Sequence, residues 1–368
     1  MINLSPHDKQ WVDNFYEKVE QKFERSAKNL KDIIPFITEN GKYPDQAQKD
    51  VTWWTNGFFG GMMWLLYEHT KKDVYKIAAK RQVEILDSAL ARYDGLHHDV
   101  GFMFELTAKA DYLLTGEPKS RIRAIYAANT LAARTNIRGQ YIKAWNQWDY
   151  TIIDCLLNIP ILYWASREFK DDRYKYIGIM QADCAMKHHV REDGSVVHIA
   201  LHNTQKDEVI ETKAGQGLAV GSTWSRGQAW AVYGFILSYI HTGEQRFLDT
   251  AIKVADHFIK ETEKYNYKVR TDFCQPDDVD YIDNSAAVCA TCGIIEIYKA
   301  TGEEKYLDAA IKILRALEED CDFSEENDSL LQKGMVSYSD GKQVDMIYND
   351  FYLCEALLKL RNSDFLIW

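Results

Sequence analysis

A twelve-residue string recurs along this chain in register, and the recurrence limits the possible folds more than any other feature. Thr242-Gly-Glu-Gln-Arg-Phe-Leu-Asp-Thr-Ala-Ile-Lys253 returns 59 residues later as Thr301-Gly-Glu-Glu-Lys-Tyr-Leu-Asp-Ala-Ala-Ile-Lys312. Weaker copies begin at Thr115-Gly-Glu-Pro-Lys and Asp171-Asp-Arg-Tyr-Lys. A period of this length denotes a supersecondary unit used repeatedly. In each Thr-Gly-Glu the glycine suits the left-handed residue that closes a helix, and the residues after it open the next one.

Two kinds of helix alternate between these marks. One kind is amphipathic and charged, over roughly 7–30, 73–92, 118–135, 172–189, 245–261 and 304–319. The other is apolar almost all round, over roughly 53–70, 101–116, 150–169, 224–242, 284–300 and 349–361. A helix apolar on every side must be buried. Six such pairs predict an all-α (α/α)6 barrel with the apolar set inside. The chain holds only 6 Pro and no linker-like run, so residues 1–368 are expected to form a single domain.

The pairing also predicts where a site would lie. All inner helices of such a barrel point the same way, so the loops before them meet at one mouth. Those loops hold Trp53-Trp54-Thr-Asn56, His97-His98-Asp99, Trp145-Asn-Gln-Trp148-Asp149, the segment 190–223, Asp280-Tyr-Ile-Asp283-Asn284 and Met346-Ile-Tyr-Asn349-Asp350. Six helix N-termini converge there, and their partial positive charge favours an anion.

Composition narrows the chemistry. A net charge of −11 disfavours nucleic acid and anionic membranes, so any cationic contact must be local. No 18-residue apolar run occurs, and Met1-Ile-Asn-Leu-Ser-Pro-His-Asp has neither a basic nor an apolar leader segment. A cytoplasmic location is expected. Seven cysteines without a small-scaffold spacing agree with that. Cys289 and Cys292 read as buried thiols in an apolar helix. Core and surface packing covers most of the 10 Trp and 22 Tyr, and the functional reading of the rest is stacking of flat rings on sugars.

Asp99 stands just before an inner helix, where it serves as an N-cap or as a reacting carboxylate. Asp154 is flanked by Ile152, Ile153, Leu156 and Leu157, which predicts a buried carboxyl one turn into an apolar helix. Such a group carries a raised pKa fit for general acid work, or joins a structural network. Arg226, between Trp224 and Trp230, opens a buried helix and needs a carboxylate partner, from a ligand or from the protein. Gln216 suits a sugar hydroxyl or the structure of its own loop, and His198 a ligand or the surface. The histidine pairs His97-His98 and His188-His189 lack metal-site spacing, so no metal and no cofactor are expected. Phe58-Phe-Gly60-Gly61 reads as close helix packing.

Three stretches together resemble a known family. They are His98-Asp99-Val-Gly-Phe, Asp154 with Asn158, Pro160, Leu162 and Trp164-Ala-Ser166, and Ser222-Thr-Trp-Ser-Arg-Gly-Gln-Ala-Trp230 running on to Tyr233-Gly-Phe235. They resemble the bacterial unsaturated glucuronyl hydrolases of glycoside hydrolase family 88. Asp283-Asn284-Ser-Ala-Ala287 is similar to that family's Asp-Ser-Ser-Ala-Ala. The resemblance runs over nearly the whole chain.

It implies removal of a 4,5-unsaturated uronic acid from the non-reducing end of oligosaccharides that lyases leave from glycosaminoglycans. It implies Asp154 as general acid/base and Asp99 as second catalytic aspartate. His198, Gln216, Arg226 and Trp230 would contact substrate, and Trp54 would stack at the mouth. Thr212 stands near the place of a family threonine, which is Ala214 here. Ser337 and Lys342 match two positions of a Ser-x-x-Ser-x-Lys stretch tied to sulfated substrates, whose second serine is Asp340 here. The related unsaturated rhamnogalacturonyl hydrolases are the nearest alternative, and an acidic-sugar-binding protein is the non-enzyme one.

Overall fold

The Thr-Gly-Glu strings fold into one joint, repeated. In the computed structural model, which describes residues 1–368, Gly116, Gly243 and Gly302 take φ of 73, 74 and 72°. Each ends an inner helix. The preceding threonine hydroxyl donates back one turn, from Thr242 to the Ser238 carbonyl at 2.6 Å and from Thr301 to that of Ile297 at 2.9 Å. It then accepts the Glu244 or Glu303 amide at 3.2 Å. Thr70-Lys71-Lys72 builds the same joint with Lys71 at φ 58°. The sequence hid that copy because a lysine stands where glycine should. Its left-handed backbone costs roughly 1–2 kcal/mol.

Twelve helical positions result. The inner set is Phe58–Thr70, the composite 100–115, Pro160–Phe169, Ser225–Thr242, Asn284–Thr301 and Ile347–Leu360. The outer set is Pro6–Asn29, Asp73–Ile85, Pro118–Ala132, Asp172–His188, Gln245–Glu263 and Glu304–Leu317. Neighbouring inner helices pack side by side, and Ile347–Leu360 returns against Phe58–Thr70, which closes the ring. The fold is the expected (α/α)6 barrel. One hydrophobic core of 96 buried residues runs through it, from Ile2 to Trp368.

Gly60 and Gly61 work as expected. A methyl on Gly60 would lie 2.8 Å from Thr107 Cγ2, and one on Gly61 2.9 Å from Leu106 Cβ. All seven cysteines are free, with Cys289 and Cys292 buried.

Two inner helices depart from the regular pattern. The second contains a π-helical turn, Glu105–Lys109, between α-helical Val100–Phe104 and Ala110–Thr115. The third begins later than expected. Residues 150–152 form a strand, Ile153–Leu157 a 3₁₀ turn, and regular helix starts only at Pro160. Ile152 and Ile153 are β-branched, and the strand pairs antiparallel with Ile199–His202, which pairs in turn with Val209–Lys213. The apolar run at 150–157 therefore reflects burial, not helix.

Candidate active site

The late start of the third inner helix brings Asp154 beside the turn before the second. His98 lies between the two aspartates, with Nε2 3.1 Å from Asp154 Oδ1 and 3.3 Å from Asp99 Oδ1. Asn158 completes the group. Its Nδ2 donates to Asp99 Oδ1 at 3.0 Å, and its Oδ1 accepts the Phe102 amide at 2.8 Å. Gly101 permits the approach, because a methyl there would lie 2.4 Å from Asn158 Cα.

The electrostatics reverse one expectation. Asp154 keeps 18% of its side chain exposed and faces the mouth, whereas Asp99 keeps 6%. Burial pushes the Asp99 carboxyl up to about 7; His98 opposes this, nearby Asp154 adds to it, and Asn158 opposes it. The desolvated acid is thus Asp99. It makes no side-chain cap to its helix, so the capping role is not the one it plays. His98 is fully buried, which alone would lower its pKa, yet the two carboxylates raise it. His97 is pushed down to about 3 by burial and by His98.

Arg226 has a partner within the protein. Its guanidinium is 1% exposed and donates to Asp283 Oδ2 at 2.6 Å, to Ser285 Oγ at 3.1 Å, and to the carbonyls of Met335 and Val336. It is stacked over Trp224, with Tyr348 also near. The partner is a protein carboxylate, because Asp283 caps the next inner helix and sits opposite. Arg226 ties the 334–336 loop to the barrel.

An aromatic floor lies beside the aspartates. Trp54 packs against Phe102 at 5.5 Å between centroids, Tyr348 at 5.2 Å and Trp230 at 6.4 Å, and Phe102 lies 5.5 Å from Trp230. Each ring comes from a different helical pair. Trp54 is partly open, whereas Trp230 is 2% exposed.

The remaining expected residues surround this floor unevenly. His198 is buried against Trp224 at 4.3 Å, and burial pushes it down to about 4. Its Nδ1 accepts the Gln216 amide at 3.1 Å. Gly215 lets the ring in, since a methyl there would stand 2.1 Å from Nδ1. The Gln216 side chain donates to the Val336 carbonyl, which docks the 214–217 loop on the 334–336 loop. Ser337 is partly buried there, its hydroxyl 3.1 Å from Ser339 Oγ. Thr212 sits on a strand paired with Ala200, and Lys342 is exposed on the outer loop. Neither contacts the aspartate group.

Sequence reasoning passed over two members of the group, His98 and Asn158. Both stood in the motifs, but a histidine adjacent to another and an amide beside Pro160 gave no separate signal. Thr151 was passed over too. Its hydroxyl lies 2.8 Å from His189 Nε2 and 2.7 Å from His202 Nε2, which braces the strand leading to Asp154. His97, His98 and Asp99 have ligating atoms within 4.8 Å of one another. No helix is long and apolar enough to cross a membrane.

No family model matches the chain. Individual relatives do. An unsaturated glucuronyl hydrolase of Bacillus sp. (strain GL1) is 33% identical over 361 residues, covering 92% of this chain and 94% of the relative. An unsaturated chondroitin disaccharide hydrolase of Streptococcus pneumoniae is 32% identical over 98% of this chain and 94% of its own. The crystal structure of the Streptococcus agalactiae unsaturated glucuronyl hydrolase superposes with a TM-score of 0.88 at 29% identity, over 100% of this chain and 95% of that one. An Asp-to-Asn mutant of that enzyme has been solved with dGlcA-GalNAc6S.

Proposed function

This chain belongs to the unsaturated glucuronyl hydrolases, and we propose that it removes 4,5-unsaturated glucuronic acid from lyase-generated glycosaminoglycan oligosaccharides. The observation that carries the reading is the single group formed by Asp99, His98 and Asp154 beside the aromatic floor. Residues 1–368 act in this reading as one catalytic domain, at work in the cytoplasm.

The target is the C4=C5 enol ether. Asp154, the carboxyl open to the mouth, donates a proton to C4. Positive charge then develops at C5 and the ring oxygen. Water adds at C5, returning a proton to Asp154, and the resulting hemiketal opens and releases the aglycone. The glycosidic bond is never attacked directly, so carboxylate separation does not dictate a stereochemical course. Asp99 stabilises the positive charge and orients the sugar. Trp54 stacks the ring with Trp230 packed against it, while His198, Gln216, Thr212, Ser337 and Lys342 shape the rim. Arg226, itself paired to Asp283, and the convergent helix N-termini hold the uronate carboxylate.

The test is loss of the conjugated double bond's absorbance, across unsaturated chondroitin, hyaluronan, heparin-type and rhamnogalacturonan disaccharides. Activity confined to the last would overturn the substrate reading. General acid–base action is worth roughly 10²–10⁴-fold, so Asp154→Asn is expected to lose at least ~10² in kcat. Near-full turnover by that variant removes Asp154 from its role.

A further inference from the structure

We propose that His98 is a positioning residue held as an imidazolium between Asp99 and Asp154, and that its charge sets the pH range in which the aspartate pair works. The inference rests on the functional reading above and deepens it. Geometry supplies the argument. Nε2 lies 3.1 Å from Asp154 Oδ1 in a hydrogen bond and 3.3 Å from Asp99 Oδ1 at ion-pair distance, a setting that favours the charged ring. Nδ1 lies 3.3 Å from His97 Nδ1. That His97 nitrogen also receives the Asp99 backbone N–H, at 3.5 Å. The same nitrogen also lies 3.4 Å from Asp99 Oδ2, so His97, His98 and Asp99 form one network around the buried ring. A fully buried ring with two carboxylates at one nitrogen and no other counter-charge for them in contact is assigned the charged form from its partners.

The charge has a purpose in this place. Two carboxyls close to one histidine, one of them buried, repel each other and resist ionising together. A cation between them opposes that repulsion. The charged and titratable neighbours are few. His97 and Asp99 flank His98 on its own turn, Asp154 and Cys155 come from the 3₁₀ turn opposite, and Arg134 comes from the segment after the third outer helix. His198, on the strand side, feels Asp154. Arg134 is spent on the Lys143, Ala144 and Trp145 carbonyls, which leaves His98 as the cation within ion-pair distance of both carboxylates.

The experiment compares pH profiles of kcat/KM for the wild type and His98→Gln, whose amide keeps a donor and drops the charge. Without the cation the Asp99 carboxyl loses the group that holds it down, so the profile should move to higher pH by on the order of one unit, with KM little changed. A merely structural role lowers activity evenly, and profiles that superimpose after scaling overturn the proposal. Should His98→Gln fail to fold, ¹⁵N-histidine spectra of the wild type decide. One histidine should keep imidazolium shifts above the pH at which free histidine becomes neutral. Its absence also overturns the proposal. A wild type inert toward every unsaturated disaccharide would instead sink the functional reading and leave the spectral result standing.

Discussion

Gly101→Ala isolates the contact on which the aspartate pair depends. Gly101 lies two residues after Asp99, and its α-carbon abuts the turn that bears Asp154. An added methyl would stand 2.4 Å from Asn158 Cα and 2.5 Å from the Asn158 carbonyl oxygen. Carbon atoms rest about 3.5–4.0 Å apart, so the two turns must separate by about 1 Å. Both obstacles are backbone, and no side-chain rotation relieves them. Overpacking of this kind costs roughly 1–3 kcal/mol. In a chain of this size that lowers the melting temperature by roughly 1–4 °C. The kinetic effect should be larger, because the wedge drives Asp99 and Asp154 apart along the line that His98 and Asn158 bridge. A displacement of ~1 Å at reacting groups can cost ~10²-fold. Stopped-time absorbance assays on an unsaturated disaccharide, with calorimetry alongside, measure both. The loss should fall mainly on kcat. A variant that melts normally and turns over at the wild-type rate refutes the claim that this seam sets the pair's geometry.

Three further outcomes follow from other parts of the molecule. Asp350 is pushed up to about 7 by burial, against the Leu330 and Leu331 amides it accepts, so its contribution to stability is present at low pH and lost as pH rises from about 4 to about 7. Asp350→Asn should therefore gain stability relative to wild type across that window, and a flat difference in denaturation midpoints argues against it. Arg226→Met leaves Asp283 buried and unpaired, for an expected loss of ~3–5 kcal/mol in urea unfolding; a loss below ~1 kcal/mol would mean the ion pair is not the tie described. Lys71→Gly relieves a left-handed lysine and should raise stability by up to ~1 kcal/mol in the same assay, an unchanged midpoint being the contrary result.

The barrel was legible because two independent patterns agreed, the 59-residue repeat and the alternation of apolar and amphipathic helices. The mouth followed from the pairing alone. What stayed hidden depended on where individual backbones bend. The run 150–157 is apolar whether it is helix, strand or turn, so nothing distinguished a buried Asp154 from one at the edge of a 3₁₀ turn. The partner of Arg226 was open for a similar reason. Asp283 lies 57 positions away in sequence, and only the ring brings it within hydrogen-bond reach. The role of His98 was masked by its neighbour, since adjacent histidines on a helix point apart, whereas on the 97–99 turn their rings lie stacked at 5.2 Å.

The Thr-Gly-Glu joints have a consequence for how such a molecule can change. They follow the C-termini of the inner helices, at the end of the barrel away from His98. The internal symmetry of the chain is thus concentrated where no chemistry occurs, and the six loops at the other rim share no common string. Scaffold and recognition are written in separate alphabets. A loop at the mouth can be rewritten for another sugar or another charge pattern while the hinges that keep the ring shut go untouched.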